Sequence, residues 1–371
     1  MNQKSVLSHI DSIDFTDTDE LIESFNLKKT RCDCFVYKLS KDGTDLCFCG
    51  LPLHLHHESV RRAFTHKAEN YPVEWNYERH TTADEPTDAF GELKFEDFKR
   101  NDPKYLRVDF RTPLDQMVKI IFEVWKMHRP KLIISITGGA KNFKINAGIK
   151  NALKRAVISA ALSTDAWLVT GGTNEGIMKI IGEAFKESAI RLKNRRKLIL
   201  LGIANWTTIK NNHLLTRKST KPNMYSHDEE HFKNHPLKEF LDMQKGAYLD
   251  PNHTHFILVD NAHLNNYGGE LKFQAELLDL ITDPKSINVN EIPMVMLLYH
   301  QHVLGSGHFF SDIRGSESAK LQLFLKSLFF KSFAKNKKGI VNFKYKLNKN
   351  SSFFNNVMPL GGFFPDNETD K

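Results

Sequence analysis

The chain has 371 residues and a formal net charge of +8, and it contains no apolar run of the ~18 residues that a transmembrane helix needs. The charge is unevenly spread: residues 314–349 hold ten Lys or Arg against one acid, Glu317, so the remainder is close to neutral and offers no general nucleic-acid surface. Four cysteines at this length make no disulfide framework, the polar N-terminus shows no secretory apolar region, and the cytosol is the expected compartment.

Residues 1–30 read as a mobile or weakly helical lead. The following stretch, TRCDCFVYKLSKDGTDLCFCGLPLHLHH, places Cys32 and Cys34, then Cys47 and Cys49, ahead of His54, His56 and His57. Zinc prefers thiolate and imidazole ligands, but structural zinc sites usually space paired cysteines by about two to four residues. A one-residue gap on a strand points the two thiols to opposite faces. The segment therefore reads as a hairpin turning at Lys41, Asp42 and Gly43, with its cysteines packed as small apolar residues and no metal assigned. Residues 72–103 are extended and loop-rich, anchored by Trp75, Phe90, Phe95 and Phe98, and a short strand covers Tyr105 to Asp109. The spacing of Leu114, Val118, Ile121 and Trp125 predicts a helix from Leu114 to Met127, which Pro130 stops.

From Leu132 to Glu183 one device occurs twice. An apolar run, Leu132 to Ile136, ends in Thr137, Gly138, Gly139 and Ala140, with Lys141 next; a second, Trp167 to Val169, ends in Thr170, Gly171, Gly172 and Thr173. An amphipathic stretch follows each. Strand, glycine turn and helix in succession predict the βαβ units of an open parallel α/β sheet, in which ligands sit beyond the carboxyl ends of the strands. Glycine permits close backbone approach, and a helix start offers unpaired N–H groups to phosphate. Tight turning alone would also explain the glycines, and both readings stay open. Further on, Ile177 to Phe185 reads as a helix, Asn205 to Asn252 as a long polar loop, and Glu270 to Ile281 as another helix. Strands are predicted at 132–136, 166–169, 198–204, 255–259 and 293–298. The domains expected are thus a lead over 1–30, a small strand- and loop-rich subdomain over 31–110, an α/β domain over 111–300, and a basic, Phe-rich tail over 301–371 without much order. In that tail Leu321, Phe324, Leu325, Leu328, Phe329 and Phe333 form a helical stripe among lysines, which suits an anionic membrane surface or a partner, or is a fortuitous pattern.

The pieces CFCGLPLHLHH, WNYERHTTADEPTDAFGELKF, DPKYLRV, LIISITGGAKNF, WLVTGGTNEGIMKIIGEA and NHTHFILVDN to YGGEL together resemble the N-terminal cytosolic region of melastatin-type transient receptor potential (TRPM) cation channels. The resemblance runs from about Cys32 to about Leu298. It implies a Rossmann-like SLOG module with a mostly parallel sheet flanked by helices, within a calcium-permeable channel whose subunits form homotetramers on the cytoplasmic side of the membrane. It also implies a site for an ADP-ribose-like nucleotide, with no cofactor required. By position that site carries over to Thr137, Gly138, Gly139, Ala140, Lys141, Gly171, Gly172, Thr173 and Asn174, with Tyr267 stacking on the adenine.

Two departures weaken the nucleotide site. Gln274 stands where the ligand-binding form has an arginine, so a bidentate phosphate partner is lost. YHQHVLGSGHFF, with Gly305 and Gly307, stands where the family has a GGPGT-like turn. Related nucleotide-cleaving enzymes would need a PGGxGTxxE-type stretch, which is absent. Glu183 and Glu270 are the carboxylates at hand, and the chain is read as non-catalytic. The expected function is therefore a regulatory and assembly module of a channel; the alternative is a soluble truncated form that modulates channel assembly.

Overall fold

The computed structural model describes residues 15–38, 46–65, 74–96, 102–138, 147–191, 198–217, 221–228, 246–283, 292–301, 307–314 and 342–346. In chain order these contain helix α1 (Phe15–Ser24), strands β1 (Arg31–Cys32), β2 (Tyr37–Lys38) and β3 (Leu46–Cys47), helix α2 (Glu58–Thr65), strands β4 (Thr81–Thr82), β5 (Phe90–Phe95) and β6 (Lys104–Asp109), and helix α3 (Leu114–Lys119). Then come β7 (Leu132–Gly138), α4 (Ala147–Thr164), β8 (Ala166–Thr170), α5 (Gly176–Arg191), β9 (Ile199–Asn205), β10 (Asn223–Tyr225), β11 (His255–Asp260), α6 (Leu271–Thr282), β12 (Met294–Gln301), β13 (Gly307–Arg314) and β14 (Asn342–Lys346). The five predicted strands are present as β7, β8, β9, β11 and β12. The chain is an α/β protein whose long strands pair mostly in parallel, and it gathers into two compact units.

One unit holds the described residues up to Arg129 with Gly172–Asn174 and Leu201–Glu270. Its strands run in the order β10-β5-β6-β11-β9. β6 pairs in parallel with β11, with Tyr105 opposite Phe256, and β11 in parallel with β9. β5 is antiparallel to β6. Phe256 and Leu258 project from β11 into a core with Leu93, Tyr105, Trp206, Tyr225 and Leu249. Each such side chain taken fully from water contributes roughly 1.5–3 kcal/mol. The N-terminal lead is helical from Phe15; α1 and the residues after it bury Ile22 and Leu27. The polar segment after β9 is not simply loop, because it carries β10 and buries Trp206, Ile209, Leu215 and Tyr225. Those apolar residues follow neither a helical nor an alternating period, which is why the sequence reads as loop.

In the same unit the helix expected to run to Met127 ends earlier. After α3, Ile120–Val124 forms a π turn, with Trp125 N–H donating to the Ile120 carbonyl and Met127 N–H to that of Ile121. The widened turn keeps Ile120, Ile121, Val124 and Trp125 all buried. β2 and β3 form the predicted antiparallel pair; its turn at Lys41, Asp42 and Gly43 lies outside the described residues.

The other unit orders its strands β8-β7-β12-β13-β14. β7 is parallel to β8 and to β12. Leu132, Ile134 and Ile136 on one face of β7 pack with Leu153, Ala156, Val157, Ala160 and Ala161 of α4 and with Ile177, Ile181 and Ala184 of α5. The α4 residues recur at the three- and four-residue steps of a helix face. α6 buries Phe273, Leu277, Leu278 and Ile281. A strand covered on both faces reads as the continuous apolar run seen in LIISI. The tail, expected to hold little order, supplies β13, antiparallel to β12, and β14, parallel to β13. Pairing satisfies the backbone groups that the β12 edge would otherwise leave open. The helical stripe expected around Leu321 to Phe333 lies outside the described residues.

Candidate functional site

The first glycine turn begins where predicted. β7 ends in Thr137 and Gly138, both half-buried, and Gly138 takes a φ of +92° that favours glycine. Gly139, Ala140 and Lys141 lie outside the described residues, as do Gly305 of the displaced turn and its neighbours.

In the second turn the two glycines differ. A Cβ on Gly171 would meet only Met178 side-chain atoms, at 3.8–4.0 Å, an ordinary contact. Gly172 has a φ of +69°, and a Cβ there would lie 3.0 Å from Gly202 Cα and 3.3 Å from the Phe256 ring. Beyond it the backbone is pinned to residues 248–250: Asp250 N–H donates to the Gly172 carbonyl at 2.9 Å, Asn174 N–H to the Tyr248 carbonyl at 2.7 Å, and Thr173 bridges Leu249. Tight packing thus accounts for Gly172, and the Asn174 amide already has an acceptor.

Tyr267 is 42% exposed. Around it lies a set of asparagines at the carboxyl ends of β9 and β11. Asn205 donates to the Asn266 carbonyl at 3.0 Å and accepts from Thr207 N–H at 2.9 Å. A Cβ on Gly269 would fall within 2.3–2.8 Å of the side-chain amide nitrogens of Asn205, Asn261 and Asn266, so a larger residue there would have to displace these amides. Asn261 Nδ2 and Glu270 Oε2 are buried without a hydrogen-bond partner among the described residues. Burial raises the Glu270 carboxyl to about 7, although backbone N–H groups of Gly268 and of Glu270 itself favour the charged form.

Gln274 does not reach outward. It is buried on α6, and its amide donates to Ser135 Oγ of β7 at 3.3 Å. This bond ties helix to strand. Glu183 is likewise committed: its Oε2 lies 2.7 Å from both Lys150 Nζ and Lys154 Nζ. Burial pushes its carboxyl up, but the two lysines outweigh this and hold it below its ordinary value.

Sequence reasoning also missed two constellations. Arg107 binds Asp260 Oδ2 through Nε and Nη2, at 2.9 and 2.6 Å, and Asp88 through Nη1, while its guanidinium lies 4.2 Å from the Trp206 ring centroid. The second is a gathering of cysteines. Cys32, Cys47, Cys49 and His56, all buried, bring one ligand-type atom each to within 4.8 Å of the others. The alternation argument fails because β1 and β3 are two residues long and the chain turns immediately after Cys47. Gly50, at a φ of +89°, closes that turn with its N–H on the Cys47 carbonyl. The glycine in Cys-Phe-Cys-Gly was the available signal. The Cys32 thiol is held below its ordinary range by the Cys34, Cys47 and Cys49 groups around it. Burial would push His56 down, but the facing sulfurs of Cys32 and Cys47 raise it to about 10.

Comparison with known proteins gives a consistent set of relatives. The chain is 34% identical over 262 residues to the mouse (Mus musculus) transient receptor potential cation channel subfamily M member 2, covering 70% of this chain and 16% of that protein. It is 33% identical over 282 residues to the subfamily M member-like 2 protein of Nematostella vectensis, covering 74% and 17%. It is 33% identical over 230 residues to human (Homo sapiens) subfamily M member 7, covering 61% and 12%. The chain therefore spans about a sixth or less of the length of these relatives. A family model described as SLOG in TRPM matches residues 103–303, more than half of the chain and including β6 through β12. On that match the chain belongs to the SLOG-in-TRPM family.

Proposed function

We propose that this chain acts as a non-catalytic regulatory and assembly module of a TRPM-like, calcium-permeable cation channel, on its cytoplasmic side and in contact with channel subunits. The match of residues 103–303 to the SLOG-in-TRPM family carries this reading. One feature supports the non-catalytic part. Glu183 is neutralised by Lys150 and Lys154, so it is not a free carboxylate poised beside a reacting carbon. Among the described residues no helix is long and apolar enough to cross a membrane, so membrane attachment would come through the channel.

The ligand class that fits this module is an ADP-ribose-like nucleotide held weakly. The exposed Tyr267 ring and the unpartnered Asn261 amide and Glu270 oxygen are groups such a ligand would engage. The burial of Gln274 against Ser135 leaves the phosphates without the family's arginine.

The test is co-expression of the tagged chain with a full-length TRPM-type channel, followed by purification from detergent with and without ADP-ribose. Retention on the channel at a fixed ratio, with ADP-ribose recovered uncleaved, is the expected result. A chain that washes off under both conditions, or that hydrolyses the nucleotide, overturns the proposal.

A further inference from the structure

We propose that Cys32, Cys47, Cys49 and His56 form a binding site for one tetrahedral, thiophilic divalent cation, with zinc as the cation of choice. The geometry has the size of such a site. Tetrahedral zinc with Zn–S near ~2.3 Å and Zn–N near ~2.0–2.1 Å separates its ligand atoms by about 3.6–3.8 Å. Here Cys32 Sγ and Cys47 Sγ are 3.9 Å apart, Cys49 Sγ and His56 Nε2 are 3.2 Å apart, and no pair among the four exceeds 4.8 Å. The sulfurs are free thiols, far from the ~2.05 Å of a disulfide.

The surroundings orient the ligands. His56 Nδ1 faces the Pro52 carbonyl at 3.0 Å; with a proton kept on that nitrogen, loss of the Nε2 proton to solvent on metal entry would turn the Nε2 lone pair toward the sulfurs. Two N–H groups are aimed at sulfur: Trp75 Nε1–H at Cys32 Sγ and Leu51 N–H at Cys49 Sγ, each at 3.4 Å. Such donors stabilise thiolate charge on a metal ligand. The Cys34 carbonyl accepts from the Cys32 thiol at 2.9 Å and from the Cys47 thiol at 3.5 Å, so metal entry would release these protons to solvent. Cysteines packed merely as small apolar residues give no reason for an imidazole nitrogen to converge on three sulfurs inside a cluster built from Phe35, Val36, Val60 and Trp75.

The role that fits is structural. All four positions of a tetrahedron are filled by protein, which leaves no open place for a substrate. The ligands come from β1, β3 and the turns before α2, a part of the chain whose strands are only two residues long. A cation would cross-link segments that share little backbone pairing.

The test is the metal content of the full chain purified under reducing conditions, measured by plasma mass spectrometry, with cobalt reconstitution of the demetallated protein. One zinc per chain is expected, together with the visible and near-ultraviolet bands of tetrahedral, thiolate-bound cobalt. Cys34→Ser should keep the metal, because that thiol lies outside the four. Cys47→Ser should lower it at least tenfold, as should the milder His56→Gln. Four titratable thiols with no bound metal and no cobalt bands in the wild-type chain would overturn the proposal, as would a Cys32–Cys47 disulfide in its place. Equal loss from Cys34→Ser and Cys47→Ser would also overturn it.

Discussion

Gly172 and Gly202 touch backbone to backbone: a Cβ on Gly202 would stand 2.7 Å from Gly172 Cα and 2.8 Å from the Phe256 ring. Neither position has room for a side chain, and Gly172 also takes a positive φ. The contact belongs to the packing of the β9 and β11 strands, whatever binds above them.

Gly202→Ala is therefore expected to destabilise the chain by about 1–3 kcal/mol, the usual cost of overpacking. Gly171→Ala, whose new methyl would meet only Met178 at ordinary distance, should stay within about 1 kcal/mol of the parent or gain slightly. Urea unfolding midpoints compare the two. Equal midpoints for parent and Gly202→Ala would show that the backbone contact is not held in solution.

For Gln274 the expectation is a stability effect without a ligand effect. Replacing it by Leu leaves Ser135 Oγ without its amide partner and should cost about 1–2 kcal/mol. Any thermal shift produced by ADP-ribose should survive in that variant and disappear in Tyr267→Ala. A shift abolished by Gln274→Leu at unchanged stability would place the amide at the ligand instead.

The Lys150–Glu183–Lys154 cluster should behave as a partly solvated clamp between α4 and α5. Glu183 is 31% exposed and Lys154 9%. Glu183→Gln is expected to lower stability by roughly 0.5–1 kcal/mol at low salt, with the difference shrinking as ionic strength rises. A loss independent of salt would argue against an ionic origin.

Two half-buried residues give opposite pH dependences. Burial raises Glu270 from 4.5 to about 7, so between those values the folded chain binds the extra proton and stability falls as pH rises. Burial, with Lys104 nearby, lowers His255 from 6.5 to about 3. Here the unfolded chain binds the extra proton, and stability falls as pH drops through that window. Glu270→Gln should flatten the decline toward neutral pH, and His255→Gln the decline toward acid. Thermal melts across pH 3–8 on the three proteins separate the contributions; a Glu270→Gln profile identical to the parent's refutes the Glu270 assignment.

The parallel strands were readable from sequence because LIISI, WLV and HFILVD are apolar on both faces and end in turns. Helices α4 and α5 were readable for the complementary reason, a repeat of three and four residues. Trp206, Leu215 and Tyr225 were not, since each is buried by a separate bend of an otherwise polar segment and no period announces it. At the candidate site the glycine pairs were visible. The division of labour between Gly171 and Gly172 was not, because Gly202 approaches from thirty residues away in sequence. The cysteine cluster escaped for a local reason: alternation along a strand was assumed where the strand is only two residues long.

The bond from Asn174 N–H to the Tyr248 carbonyl has a kinetic consequence. An anion approaching the start of α5 must compete with a carbonyl for that proton, so engagement of this amide begins with a local opening between residues 172–174 and 248–250. Exchange of the Asn174 and Asp250 amides with heavy water reports that opening directly. A ligand that works through this amide would speed exchange at Asp250 while protecting Asn174, whereas one that binds elsewhere would leave the pair exchanging together.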